Sequence, residues 1–172
     1  ILNVYKFYQE RIKILNSCDF GDLILLCVNM FESNTDILEL YLNNFKYILV
    51  DEYQDSNYIQ SKWLNLLARK NNNICCVGDD DQSIYSWRGA EIKNFLEFDK
   101  VYQNTKVIRL EKNYRSTQNI LSVASKLIEN NQNRVGKKLF TSHDDGELIA
   151  LDCFRNVKDE ATEVGSEIEN LK

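Results

Sequence analysis

Between Tyr47 and Arg115, three short apolar runs each end in a cluster of polar and charged residues, and this pattern constrains the fold most. The first run, Tyr47-Ile48-Leu49-Val50, leads into Asp51-Glu52-Tyr53-Gln54-Asp55. The second, Ile74–Val77, leads into Gly78-Asp79-Asp80-Asp81-Gln82-Ser83-Ile84-Tyr85-Ser86-Trp87-Arg88-Gly89-Ala90. The third, Lys106–Leu110, leads into Glu111-Lys112-Asn113-Tyr114-Arg115-Ser116-Thr117. Continuous apolar runs of this length read as strands covered on both faces. Between them, residues 57–69 carry Ile59, Trp63, Leu66 and Leu67 at helical spacing, and residues 90–98 read as a second helix. Alternating strand and helix with short links predicts an α/β fold with a parallel sheet. In such sheets ligands gather beyond the carboxyl ends of the strands, where the polar clusters stand.

The flanks read as helical. Residues 1–16 place Val4, Tyr5, Tyr8, Ile12 and Leu15 on one stripe. Asp22 is expected to cap a helix over 23–31, apolar almost all round and so buried. Another helix is expected over about 36–45, capped by Asn34 or Thr35. Beyond the third run, a helix from Ser116 or Thr117 carries Ile120, Val123, Ala124, Leu127 and Ile128. The basic segment 134–138 leads to a loop, alternation over 147–154 suggests a strand, and 159–171 reads as a final helix.

Composition narrows the class. Hydrophobic residues make up 44% and charged residues 27% of the 172, a globular balance. No apolar run approaches the roughly 20 residues that span a bilayer. A net charge of −5 argues against coating nucleic acid by bulk charge, though a local basic groove is compatible with it. The five cysteines are odd in number and form no C-x-x-C pair; Cys75 and Cys76 sit in an apolar run. They are expected to be buried, reduced thiols of a cytoplasmic protein. His143, the only histidine, is expected to be a solvated loop residue. The start at Ile1 has neither Met nor a signal-peptide pattern, and the chain is expected to begin within a longer protein.

The strand-end residues suggest chemistry. A carboxylate pair such as Asp51-Glu52 suits Mg²⁺ binding and activation of a water; the plain reading is two solvated acids. Gln82 can donate to a phosphate oxygen and accept from a water. Asp79-x-Asp81-x-Ser83 also permits the nucleophile loop of an Asp-dependent phosphatase, a rival reading on one motif. Tyr85, Trp87 and Arg88 fit a platform on which bases stack, or a Trp that plugs the helix against the sheet. Arg115 fits a clamp for phosphoryl charge and Tyr114 a stacking ring, against a plain surface pair.

Together these segments resemble superfamily I DNA helicases of the UvrD/Rep/PcrA type. Val50 to Asp55 is similar to the family's Walker B motif, Val77 to Ala90 to its third motif and Leu110 to Thr117 to its fourth. Asp19-Phe20-Gly21-Asp22-Leu23 resembles its Asp-Phe-Asp-Asp-Leu segment, with Gly21 in place of Asp, and Ser86 stands where Gly is usual. The resemblance implies a RecA-like parallel sheet flanked by helices, of the P-loop NTPase type. It implies residues 1–19 as the end of a helical accessory (1B-like) subdomain. Residues 20–111 would be part of a first RecA-like motor domain, and 112–172 the start of a second.

It implies that Asp51 binds Mg²⁺, that Glu52 activates water and that Gln82 senses the γ-phosphate of ATP. Tyr85 and Trp87 would stack on single-stranded DNA, supported by Arg88. Tyr114 would stack on adenine and Arg115 contact the γ-phosphate. The parent would be an ATP-dependent 3′–5′ helicase acting on single-stranded and duplex DNA, serving DNA repair with repair proteins as partners, and not a membrane protein. No Gly-x-x-x-x-Gly-Lys-Ser/Thr phosphate loop occurs in the chain, so the 172 residues alone are expected to be inactive. A non-catalytic binding module on the same fold is the other alternative.

Overall fold

The computed structural model describes residues 1–132 and 134–171. It divides into two compact units, Ile1–Ile108 with Asn133–Val135, and Arg109–Gln132 with Gly136–Lys172.

The first unit opens with three helices, α1 (Leu2–Ile14), α2 (Phe20–Ser33) and α3 (Thr35–Asn44). The start of α2 lies earlier than its apolar run indicates, because the capping box uses two acids. Asp19 accepts from the Asp22 N–H at 2.9 Å, and Asp22 accepts from the Asp19 N–H at 3.1 Å. Asp22 is therefore the third helical residue and not the cap. Nor is α2 buried all round: Val28 and Phe31 are buried, while Leu23 and Leu26 on other faces are half exposed. Phe31 packs with Leu38 and Leu42 of α3 and with Leu67 of the next helix. That cluster is the core of the unit.

Strand β1 (Ile48–Val50), helix α4 (Tyr58–Ala68) and strand β2 (Ile74–Cys76) form one βαβ unit. Asn57 caps α4 in a capping box with Gln60. The strands pair in parallel, with Ile48 beside Ile74 and Val50 beside Cys76. Their continuous apolar runs predict cover on two faces. The helices cover one, and Leu49 and Cys75 point outward, Leu49 at 80% exposure. The thiols follow: Cys18, Cys75 and Cys153 are exposed, and Cys27 and Cys76 are half-buried, which corrects the expectation of five buried cysteines.

The helix expected over 90–98 is two short ones, α5 (Ile92–Leu96) and α6 (Phe98–Val101). It starts late because Ala90 bridges antiparallel to Asn57 and the Glu91 N–H donates to the Ser56 carbonyl at 3.0 Å. Phe98 then meets the Tyr53 ring edge-on, and Tyr102 packs against Phe98.

The apolar run 106–110 is not a strand. Val107, Ile108 and Leu110 are mostly exposed, and no strand lies beside them among the described residues. Pairing begins two residues later in the second unit, where β3 (Lys112–Asn113) runs parallel to β4 (Phe140–Thr141). Helix α7 (Gln118–Ile128) lies between them in sequence, and α8 (Val157–Asn170) follows β4. The alternating stretch 147–154 is likewise no strand. With Leu148 and Leu151 exposed and no partner strand among the described residues, alternation alone does not make a ladder.

Candidate functional site

The carboxyl ends of β1 and β2 are laced together. The Val77 N–H donates to the Val50 carbonyl at 2.8 Å, and the Tyr53 N–H donates to the Val77 carbonyl at 3.0 Å. Between these bonds the chain turns sharply. Glu52 adopts the left-handed conformation (φ 50°, ψ 42°), and Tyr53–Asp55 form a single 3₁₀ turn. A non-glycine residue there is uncommon, and such backbones cluster at functional sites. The turn leaves Asp51 and Glu52 exposed and sends Tyr53 and Gln54 inside. The Glu52 N–H donates to Asp51 Oδ1 at 2.9 Å.

Gln54 is 1% exposed, and its amide joins the two strand ends. Its Nε2 donates to Glu52 Oε2 at 2.8 Å, and its Oε1 accepts from the Asp79 N–H at 3.0 Å. The Asp79 carboxylate in turn accepts from the Asp81 N–H at 3.0 Å and from Gln82 Nε2 at 2.8 Å. Glu52 and Gln82, 30 positions apart in sequence, therefore belong to one hydrogen-bonded network on one rim of the sheet.

The acidic loop has further partners within this unit. Arg134 grips Asp81 with two nitrogens along one edge of its guanidinium, Nε to Oδ1 at 2.8 Å and Nη2 to Oδ2 at 2.5 Å. The Val135 N–H donates to Asp80 Oδ2 at 2.7 Å. The carboxylates of Asp79, Asp80 and Asp81 lie within 4.8 Å of one another. Their charge is met by these amides and by Arg134.

Tyr85, Trp87 and Arg88 follow on an adjoining 3₁₀ turn, Ser86–Arg88, closed by Gly89 at φ 90°. A side chain there would be strained, which suits glycine. The two rings are tilted with centroids 6.4 Å apart. The Arg88 guanidinium lies 5.3 Å from the Tyr85 ring and 5.8 Å from the Trp87 ring. Trp87 is 79% exposed, so it does not plug the helix against the sheet.

Tyr114 and Arg115 lie in the second unit, both exposed. Asn113 Oδ1 accepts from the N–H groups of Arg115 (2.9 Å) and Ser116 (2.7 Å), shaping the turn that presents them. Lys112 Nζ sits 5.1 Å from the Tyr114 ring. His143 is not merely solvated: its Nε2 lies 3.0 Å from the Tyr114 carbonyl oxygen. The carbonyls of Asp144 and Asp145 accept from Gln118 and Asn119 and so satisfy the first amides of α7.

Sequence reasoning missed Gln54 and Arg134 as organising residues. Gln54 could have been found as the one uncharged amide in an otherwise acidic strand end. Arg134, 53 positions from Asp81, carries no local signal.

The family model of the UvrD/REP helicase N-terminal domain matches residues 1–103. The chain belongs to the UvrD/REP helicase family. The model of the UvrD-like helicase C-terminal domain matches residues 108–172. Over 168 residues, 98% of the chain, it is 49% identical to the probable DNA helicase II homolog of Rickettsia conorii, covering 26% of that protein. It is 45% identical along its whole length to the ATP-dependent DNA helicase PcrA of Leuconostoc citreum, covering 23% of it. The PcrA of Staphylococcus epidermidis is 46% identical over 168 residues. The chain thus spans about a quarter of the length of these UvrD-type relatives. No described helix is long and apolar enough to cross a membrane.

Proposed function

We propose that this chain is the middle part of an ATP-dependent DNA helicase motor, which couples ATP hydrolysis to 3′–5′ movement along single-stranded DNA and to duplex unwinding in DNA repair. Residues 1–19 end an accessory subdomain, 20–111 belong to a first RecA-like domain and 112–172 open a second. The observation that carries this reading is the rim that joins Glu52 to Gln82. A binding module has no need of an acid and an amide held in one network beside an exposed aromatic platform.

The residues present fit part of a Mg²⁺–ATP site. Asp51 is an exposed carboxylate beside Glu52, the oxygen donor that Mg²⁺ prefers. Gln82 offers a neutral amide to a phosphate oxygen and Arg115 a permanent charge. No phosphate-loop motif, with its backbone cradle for phosphates, occurs among the 172 residues. When bound, Mg²⁺ would neutralise charge on the phosphates. Asp51 would hold the ion, and Glu52 would orient a water and accept its proton. Tyr114 provides a face for the adenine. Tyr85 and Trp87 provide faces for unpaired bases, with Arg88 supporting their rings. The phosphatase alternative leaves Glu52, Trp87 and Arg115 without work, and both oxygens of Asp79 accept hydrogen bonds.

The test is strand separation by the full-length helicase carrying this chain, on duplexes with a 3′ or a 5′ single-stranded tail. Unwinding of the 3′-tailed substrate, dependent on ATP and abolished by Glu52→Gln with DNA binding retained, is expected. Equal activity of Glu52→Gln would overturn the assignment. The 172-residue chain alone is expected to release no phosphate from ATP.

A further inference from the structure

Gln54 stands between the two groups that the reading above places at the γ-phosphate. A carboxamide alone among side chains ends in a neutral donor and a neutral acceptor side by side. Here the donor is spent on Glu52 and the acceptor on the Asp79 N–H. The orientation is locked. Reversed, the amide would set its oxygen against the Glu52 carboxylate and its NH₂ against the Asp79 N–H. Each mismatch would strand a polar group at a residue that is 1% exposed. Gly78 leaves room for this amide, since a Cβ there would come within 2.6 Å of Gln54 Oε1.

Two consequences follow. The bond to Oε2 holds the carboxylate of Glu52, a residue that the turn leaves exposed. The bond to the Asp79 N–H anchors the residue whose Oδ2 holds Gln82. We infer that Gln54 is a positioning residue that fixes the separation of Glu52 and Gln82, and so governs the hydrolytic step rather than nucleotide affinity. The inference rests on the function proposed above.

The test uses Gln54→Met and Gln54→Glu, which keep the length of the side chain, in the full-length helicase carrying this chain. Hydrogen exchange over residues 77–83, measured without nucleotide, reads the clasp directly. Gln54→Met is expected to speed exchange at the Asp79 amide about fivefold, the factor carried by one ordinary hydrogen bond. Gln54→Glu keeps an acceptor and is expected to speed it less, while repelling Glu52. Both are expected to lower DNA-stimulated kcat roughly 10–100-fold, as loss of a supporting hydrogen bond does. KM for ATP is expected to stay within about twofold, because only the transition-state contact changes.

Unchanged exchange at Asp79 in Gln54→Met overturns the inference. So does faster exchange with unchanged kcat, which would make the amide a loop clasp only. If wild-type protein hydrolyses no ATP, the proposed function falls, and with it any role in turnover. The exchange arm still decides whether Gln54 holds Asp79.

Discussion

Gly78 presses its bare Cα against the buried amide of Gln54. A Cβ on Gly78 would meet Gln54 Oε1 at 2.6 Å and the Phe95 ring at 2.8 Å, distances that real side chains do not tolerate. Gln54 cannot retreat without giving up its bonds to Glu52 and Asp79. Gly78→Ala is therefore expected to cost about 1–3 kcal/mol, the range for overpacking a close-packed site. Urea unfolding measures it. A variant as stable as the parent would mean that the β2 end relaxes freely.

The two adjacent cysteines of β2 face opposite ways. Cys75 is exposed, whereas burial pushes the Cys76 thiol up to about 12, with neighbouring Cys75 adding to the rise. Thiolate is the reactive form. At pH 8 a maleimide is expected to label Cys75, Cys18 and Cys153 quickly and Cys76 only on unfolding. Peptide mapping after a short pulse reads the order. Equal labelling of Cys75 and Cys76 would contradict the strand's facing.

Much of the first unit was legible because burial and local chemistry agreed there. The runs at Ile48–Val50 and Ile74–Cys76 are bracketed by turn residues, and Asn57 with Gln60 marks the start of α4 in sequence. The run at 106–110 is as apolar as either strand, yet apolarity does not supply a partner, and there it makes no ladder. The interior of the site was less legible. A string such as Asp51-Glu52-Tyr53-Gln54-Asp55 does not say which polar residue turns inward. That depends on the left-handed step at Glu52, which nothing in the residue type announces. The grip of Arg134 on Asp81 spans 53 positions and has no periodic signature.

The cap of α2 carries a pH dependence. The Asp22 N–H, and after it the Tyr8 hydroxyl, hold the Asp19 carboxyl below its ordinary range. A carboxyl depressed on folding contributes stability that is fully present above its unfolded pKa and is lost as pH falls through the folded value. As pH falls from the ordinary carboxylate range through the depressed value of Asp19, wild type is therefore expected to lose thermal stability more steeply than Asp19→Asn, whose side chain at position 19 does not titrate. Parallel profiles of melting temperature against pH would show that this cap does not contribute.

Trp87 is the exposed member of the aromatic platform, and its loss should be felt by DNA before nucleotide. Stacking on one base is worth about 1–3 kcal/mol. Trp87→Ala in the full-length helicase is expected to weaken binding of a labelled oligo-dT by that amount. Basal ATP turnover without DNA should change little. Fluorescence anisotropy measures the first and phosphate release the second. Undiminished oligo-dT affinity would remove Trp87 from the interface.

The 172-residue chain by itself exposes more apolar surface than a solitary domain easily carries. Leu49 of β1 is 80% exposed and Tyr47, just before that strand, 76%, and neither β1 nor β2 has a partner on its outer edge among the described residues. Unpaired edges and contiguous apolar faces both drive association. The chain is expected to self-associate in sedimentation as its concentration rises. Leu49→Lys, which places charge on the uncovered face without touching the core cluster around Phe31, is expected to shift the distribution toward monomer. A wild-type chain that stays monomeric throughout would show that this face needs no cover.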